Sequence, residues 1–204
     1  MTQERLPRRT REELQLRAIR EVLRATAAAL PLDEILSVIA NMTIIVFDAT
    51  TSWFMLAEEN RLRTVISRGE FAEELAGKEC DTGTGSCAVA VGDKPVILQP
   101  QDIDPADPIT GTFAQEVEPV VLLPLKAGNR TLGLLGSAVT PEASLDISFL
   151  ITVAEQASAA IESARLREES RTWRERLDAV FDRLAELVLI FDRDGKLALM
   201  NRSA

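Results

Sequence analysis

The chain has 204 residues, of which 46% are hydrophobic and 27% charged, and its formal net charge of −9 argues against a surface built to neutralise nucleic-acid phosphates. It contains no histidine, which removes the commonest general base, the commonest metal ligand and the usual protein ligand of haem. No apolar run reaches the roughly 20 residues of a membrane helix, and the charged N-terminus MTQERLPRRTREEL has no apolar h-region, so a cytoplasmic protein with no membrane partner is expected.

Residues 11–30 space Leu16, Ile19, Leu23, Thr26 and Leu30 by threes and fours, which predicts a helix with one apolar seam. Pro31 interrupts it. LDEILSVIANMTIIVF restarts a helical pattern through Leu32, Ile35, Leu36, Ile39 and Val46, with Asp33 and Glu34 at the positive end of the helix dipole. The texture then turns to β-type runs. TTSWFMLA and RLRTVISRG flank a polar turn at Glu58-Glu59-Asn60 and read as a hairpin ending at Gly69. After CDTGTGSC come AVAV, a turn at Gly92-Asp93, and KPVIL as a third strand. Residues 99–119 are rich in Pro and Asp, predicting a loop with one short helix around Phe113–Val117. VVLLPLKAGNRTLGLLGSAV supplies two strands joined at Ala127-Gly128-Asn129-Arg130. The fold class is therefore α+β, a central antiparallel sheet flanked by helices, with long helices at both ends.

From Leu145 the helical pattern returns. Leu150, Ala154, Ala157, Ile161 and Ala164 mark one stripe, and Leu166, Trp173, Leu177, Val180, Leu184 and Leu187 continue on a shifted phase. A seam this long, interrupted by the charged RLREESRTWRER, predicts a parallel homodimer in which Leu16, Ile19, Leu23, Ile161, Leu166, Trp173, Leu177 and Val180 meet the partner copy. The competing reading folds this helix back on its own sheet.

The run Cys80–Cys87, CDTGTGSC, holds the chain's two cysteines. A zinc site needs about four ligands, and two thiols without histidine do not supply them. An iron-sulfur cluster shared between two chains stays open. GxxxxGK[ST] is absent, so nucleotide hydrolysis has no support. A Cys80–Cys87 disulfide is sterically allowed and would be a reversible switch in a reducing compartment, while the bland reading makes Cys87 a small buried apolar residue. Gly83 and Gly85 permit a turn from which Ser86-Cys87-Ala88-Val89 starts a helical turn, its free N–H groups aimed at an anion or carbonyl of a small ligand. A tight turn over an apolar cavity is the alternative. Asp102 and Asp104 read as solvated surface, and no catalytic residue or metal site is expected.

The order of elements resembles a GAF domain over residues 32–168, carried by LDEILSVIANM, GTGSCAVAVGDKPVILQ, EPVVLLPLKAGNRTLGLLGSAV and FLITVAEQASAAIESARL. Residues 1–31 then form an amphipathic helix and residues 169–187 a coiled-coil connector. Residues 188–204, with Asp194-Gly195 and Asn201 to Ala204, resemble the start of a PAS domain. The GAF resemblance implies a non-catalytic sensory module that binds an unidentified small molecule and relays it through a dimeric helix to an output domain, most often a sensor histidine kinase in chains of this order. It also makes Trp53, Met55, Thr84, Gly85, Ser86, Cys87, Thr112, Phe113 and Gln115 the candidates to border the pocket, with ordinary core packing as the alternative reading of Trp53, Met55, Thr84, Thr112, Phe113 and Gln115. In bilin-binding relatives a histidine follows the attachment cysteine; here Ala88 follows Cys87, which speaks against bilin. The alternatives are a redox or iron-sulfur sensor using Cys80 and Cys87, and a dimerisation scaffold without ligand.

Overall fold

The computed structural model describes residues 13, 15–17, 19–21, 24, 30–141, 145–183, 186 and 188–201. They divide into two compact units, the first ending at Glu162 and the second beginning at Ser163.

In the first unit, the described residues before Leu30 are helical. Of the expected seam, Leu16 is exposed and Ile19 packs on the unit's own core, while Leu23 and Thr26 lie outside the described residues. Helix α1, Leu32–Phe47, has Asp33 and Glu34 in its first turn and ends on Asp48 in the left-handed conformation, φ 53°. Strands β1, Ala49–Glu58, and β2, Arg61–Gly69, form the expected hairpin, with Glu59 at the turn. One helical turn, α2 (Ala72–Leu75), and a three-residue strand, β3 (Glu79–Asp81), follow, neither of them foreseen. Cys87 sits in a 310 helix, Gly85–Ala90, so the run after the glycines is helical as expected. KPVIL contributes strand β4, Val96–Leu98, and the closing hairpin is β5, Val120–Ala127, with β6, Arg130–Val139. The short helix expected at Phe113–Val117 is displaced: a 310 turn occupies Thr110–Phe113, because the chain is already anchored ahead of it at Asp107.

All neighbouring strands are antiparallel, in the order β3-β2-β1-β6-β5-β4. Both faces are covered. Phe54, Val121, Leu123, Leu125, Leu135 and Val139 face α1 and the start of helix α3, Ile147–Arg183, where Phe47 meets Phe149 at 5.5 Å between ring centroids. Trp53, Met55, Leu62, Val120, Leu122, Leu134 and Ala138 face the loops and short helices instead. Because side chains alternate along a strand, β1, β5 and β6 feed both cores. In β2 a bulge intervenes: Phe54 pairs with Ile66 but Met55 with Thr64, leaving Val65 as the extra residue.

Leu150, Ala154, Ala157 and Ile161 of α3 are buried in the helix-side core. That corrects the expectation for Ile161: its stripe finds its partner in the chain's own sheet rather than in a second copy.

In the second unit α3 continues to Arg183, where Leu166, Trp173, Leu177 and Val180 are all more than half exposed. Strands β7, Leu189–Phe191, and β8, Leu197–Met200, form a hairpin whose turn is closed by Asp192, its carboxylate accepting the N–H groups of Asp194 and Lys196. Asn201 is buried, its side chain accepting the Val188 N–H and donating to the Glu186 carbonyl. Leu184, Leu187 and residues 202–204 lie outside the described residues.

Candidate functional site

The candidate site lies on the loop side of the sheet, and residue size decides its shape. Gly136, opposite Trp53 in the register, leaves the space that the indole fills: a Cβ there would stand 2.2 Å from the ring. Phe113 stacks on Trp53 with centroids 5.3 Å apart and planes 17° apart, and Phe71 meets Phe113 edge-on at 5.2 Å. Such pairs contribute about 0.5–1.5 kcal/mol beyond the area they bury. The three rings pack against one another in the loop-side core, Phe113 coming from the 104–117 loop and Phe71 from the turn ahead of α2.

Of the expected pocket residues, the structure brings Trp53, Met55, Cys87 and Phe113 together, all fully buried in one cluster. Ser86 is buried beside them, and Thr112 is half-buried and accepts a hydrogen bond from Lys78 Nζ at 2.7 Å. Thr84, Gly85 and Gln115 are exposed on the outside of the loops.

The cysteines are joined. Cys80 on β3 and Cys87 in the 310 helix form a disulfide with Cα atoms 6.4 Å apart, and both are buried in the loop-side core. Burial of Cys87 is as expected, and of the readings open for the pair the structure takes the disulfide, because the turn at Gly83 and Gly85 folds the run back so that the two side chains meet. With both sulfurs in the bond, neither is a thiolate ligand for zinc or an iron-sulfur cluster.

A correction concerns the N–H groups of the glycine turn. One of them, the N–H of Ser86, already holds an anion, the chain's own Asp107. Ser86 donates its N–H to Oδ2 at 2.7 Å and its hydroxyl to Oδ1 at 2.8 Å, while the N–H groups of Ile109 and Thr110 reach Oδ1 at 3.0 and 2.8 Å. Burial alone pushes this carboxyl up, but the four donors outweigh it and hold Asp107 below the usual carboxylate range. Gly85 has φ +51°, and a Cβ on it would lie 2.3 Å from Asp107 Oδ2, so glycine is required there twice over. Asp107 thereby ties the 80–87 run to the 104–113 loop that carries Phe113.

Two buried polar atoms on this side of the sheet are left over. Trp53 Nε1 and Thr64 Oγ1 are buried and meet no hydrogen-bond partner; Thr64 stands opposite Met55 in the register and shares its face. Each buried orphan costs about 1–3 kcal/mol. Thr64, Phe71, Lys78 and Asp107 escaped sequence reasoning. Only Asp107 carried a local signal, an aspartate positioned to accept the N–H groups two and three residues ahead.

Among the described residues no helix is long and apolar enough to cross a membrane. A family model of the GAF domain matches residues 29–162. A search of curated proteins gives no match. Among solved structures, the GAF domain of a phosphoenolpyruvate-protein phosphotransferase from Coxiella burnetii is similar at 17% identity and TM-score 0.64, covering 76% of this chain and 96% of that one. Free methionine-R-sulfoxide reductase from Neisseria meningitidis, solved with its substrate, gives 18% identity and TM-score 0.60 over 77% and 91%. A domain of a Sinorhizobium meliloti protein assigned as a two-component sensor histidine kinase gives 16% and 0.55 over 68% and 97%. These identities speak to fold alone. The matched residues comprise the whole six-stranded sheet, α1 and the first part of α3, and the chain belongs to the GAF domain family, whose members are usually sensory modules.

Proposed function

We propose that this chain is the sensory part of a longer signalling protein: it binds a small molecule on the loop side of its sheet and passes the signal along α3, as a homodimer, to an output domain such as a sensor histidine kinase. The observation that carries this reading is the pair of unpartnered polar atoms, Trp53 Nε1 and Thr64 Oγ1, in the otherwise apolar loop-side core, the place this reading assigns to the ligand chamber. A ligand presenting an acceptor to the indole N–H and a hydrogen-bonding group to the threonine hydroxyl removes both penalties. Entry requires Phe113 to leave the face of Trp53, so the 104–117 loop is the door and Thr112 and Gln115 its rim.

The relay follows from strands with two buried faces. β5 and β6 line the chamber with Leu122 and Leu134 and contact the helical layer with Leu123 and Leu135, so a shift on one face is transmitted to the other. Leu166, Trp173, Leu177 and Val180, spaced by seven, four and three, supply the exposed stripe of a two-stranded coil. The β7-β8 hairpin is read as the opening of a PAS domain. The histidine-kinase relative supports the choice of output.

Native mass spectra of freshly purified protein, compared with the denatured mass, test the ligand. Extra mass lost on denaturation supports it; bare sequence mass together with no melting shift across cyclic nucleotides, amino acids and other small metabolites refutes it and leaves a dimerisation scaffold. Spin labels at Glu168 test the relay: inter-helix distances that stay fixed when ligand is added sink it.

A further inference from the structure

We infer that Cys80–Cys87 is a redox site that latches the chamber: an external dithiol reduces it, and reduction releases the loops that seal Trp53 and Phe113. The inference deepens the proposed reading, because the latched chamber is the one assigned to the ligand.

The two ends of the bond lie on short elements. β3 is three residues long and forms the edge of the sheet, paired only with β2; the other end is a 310 turn. Short edge elements open locally at little cost, which gives a reductant access to Cys80 Sγ despite its burial. From Cys87 the connection continues through Ser86 to Asp107, through Asp107 to the N–H groups of Ile109 and Thr110, and along that turn to Phe113 on Trp53. The helix-side core contains neither cysteine, so loosening the latch leaves the helical layer packed.

The chemistry balances as thiol–disulfide exchange. A thiolate of the dithiol attacks Cys80 Sγ, the S–S bond breaks, and Cys87 leaves as a thiolate that takes up a proton. The second thiol of the reductant then displaces Cys80 from the mixed disulfide. Two electrons and two protons pass to the protein, giving two cysteine thiols and a disulfide in the reductant.

The test needs no ligand, so it stands or falls separately from the ligand reading. In the Trp173→Phe variant of the full chain the remaining tryptophan is Trp53, which has no solvent exposure. Acrylamide quenching is measured before and after incubation with reduced thioredoxin, alkylation of both thiols verifying reduction. The expected result is a several-fold rise in the quenching constant on reduction, reversed by reoxidation. The Cys80→Ser/Cys87→Ser variant, or the alanine pair if the serines do not fold, should quench like the reduced form and ignore thioredoxin. Equal quenching in the two redox states, or failure of both thiols to alkylate under native conditions after thioredoxin treatment, overturns the inference.

Discussion

Opening the Cys80–Cys87 bond should weaken the first unit by an amount that follows from its place in the chain. The cysteines are seven residues apart, and the loop-entropy relation for a loop of that length gives about 2.4 kcal/mol at 25 °C. For a folding unit of this size that corresponds to a fall in melting temperature of about 5–10 °C. The clean comparison is between oxidised wild type and the Cys80→Ala/Cys87→Ala variant in urea, with the slope of the transition checked for constancy. Serines would add a further loss, because two hydroxyls would enter a buried apolar site without assured partners. The reasoning is refuted if the alanine variant matches the oxidised protein to within about 0.5 kcal/mol, a difference typical of neutral surface changes.

Thr64→Val keeps the shape of the side chain and removes a buried hydroxyl without a partner, so the apo protein should gain about 1–3 kcal/mol in urea unfolding; a loss would show that the hydroxyl is already satisfied. Asp107 is held below the usual carboxylate range, so its contribution is present above the unfolded carboxyl pKa and is lost as pH falls through the lower folded value. Asp107→Asn should therefore be less stable than wild type at neutral pH and show a flatter acid limb in melting temperature against pH, and an unchanged limb would count against the role given to Asp107. Glu118 behaves oppositely. Burial is the main cause that raises its carboxyl, aided by Glu116 and Glu70 and partly offset by the hydrogen bond from the Thr50 hydroxyl. The folded state thus carries a penalty above the raised pKa that disappears as pH falls below the unfolded value. Glu118→Gln should be the more stable protein at neutral pH and converge with wild type in acid; a constant difference across pH would contradict this.

Local patterns in the sequence reached most of the scaffold. The β1-β2 and β5-β6 hairpins are readable because alternating apolar residues meet polar turns, and α1 because Ile35, Leu36, Ile39 and Val46 share one face. β3 was not readable, since three residues hold no period. Ile161 was misread because an apolar seam looks the same whether a sheet or a second helix covers it. At the site, the candidates on the first strand and Cys87 did converge, but the filling of their shared space by the Phe113 and Phe71 rings is a tertiary fact. The 21-residue separation between Ser86 and Asp107 likewise leaves no local mark.

The extra residue of β2 has a bearing on which length changes the hairpin tolerates. Val65 resets the alternation of the strand: Ile66 after it faces the helical layer and Thr64 before it faces the loop side, although they are two positions apart. Removing Val65 would leave a strand of ordinary alternation in which Leu62, Thr64 and Ile66 each keep the face they now occupy. Removing Arg63 instead would shift Leu62 relative to Thr64 and exchange an apolar side chain for a polar one in the loop-side core. Chain-length variation in this hairpin is thus confined by packing to a single position on the strand, together with the turn itself.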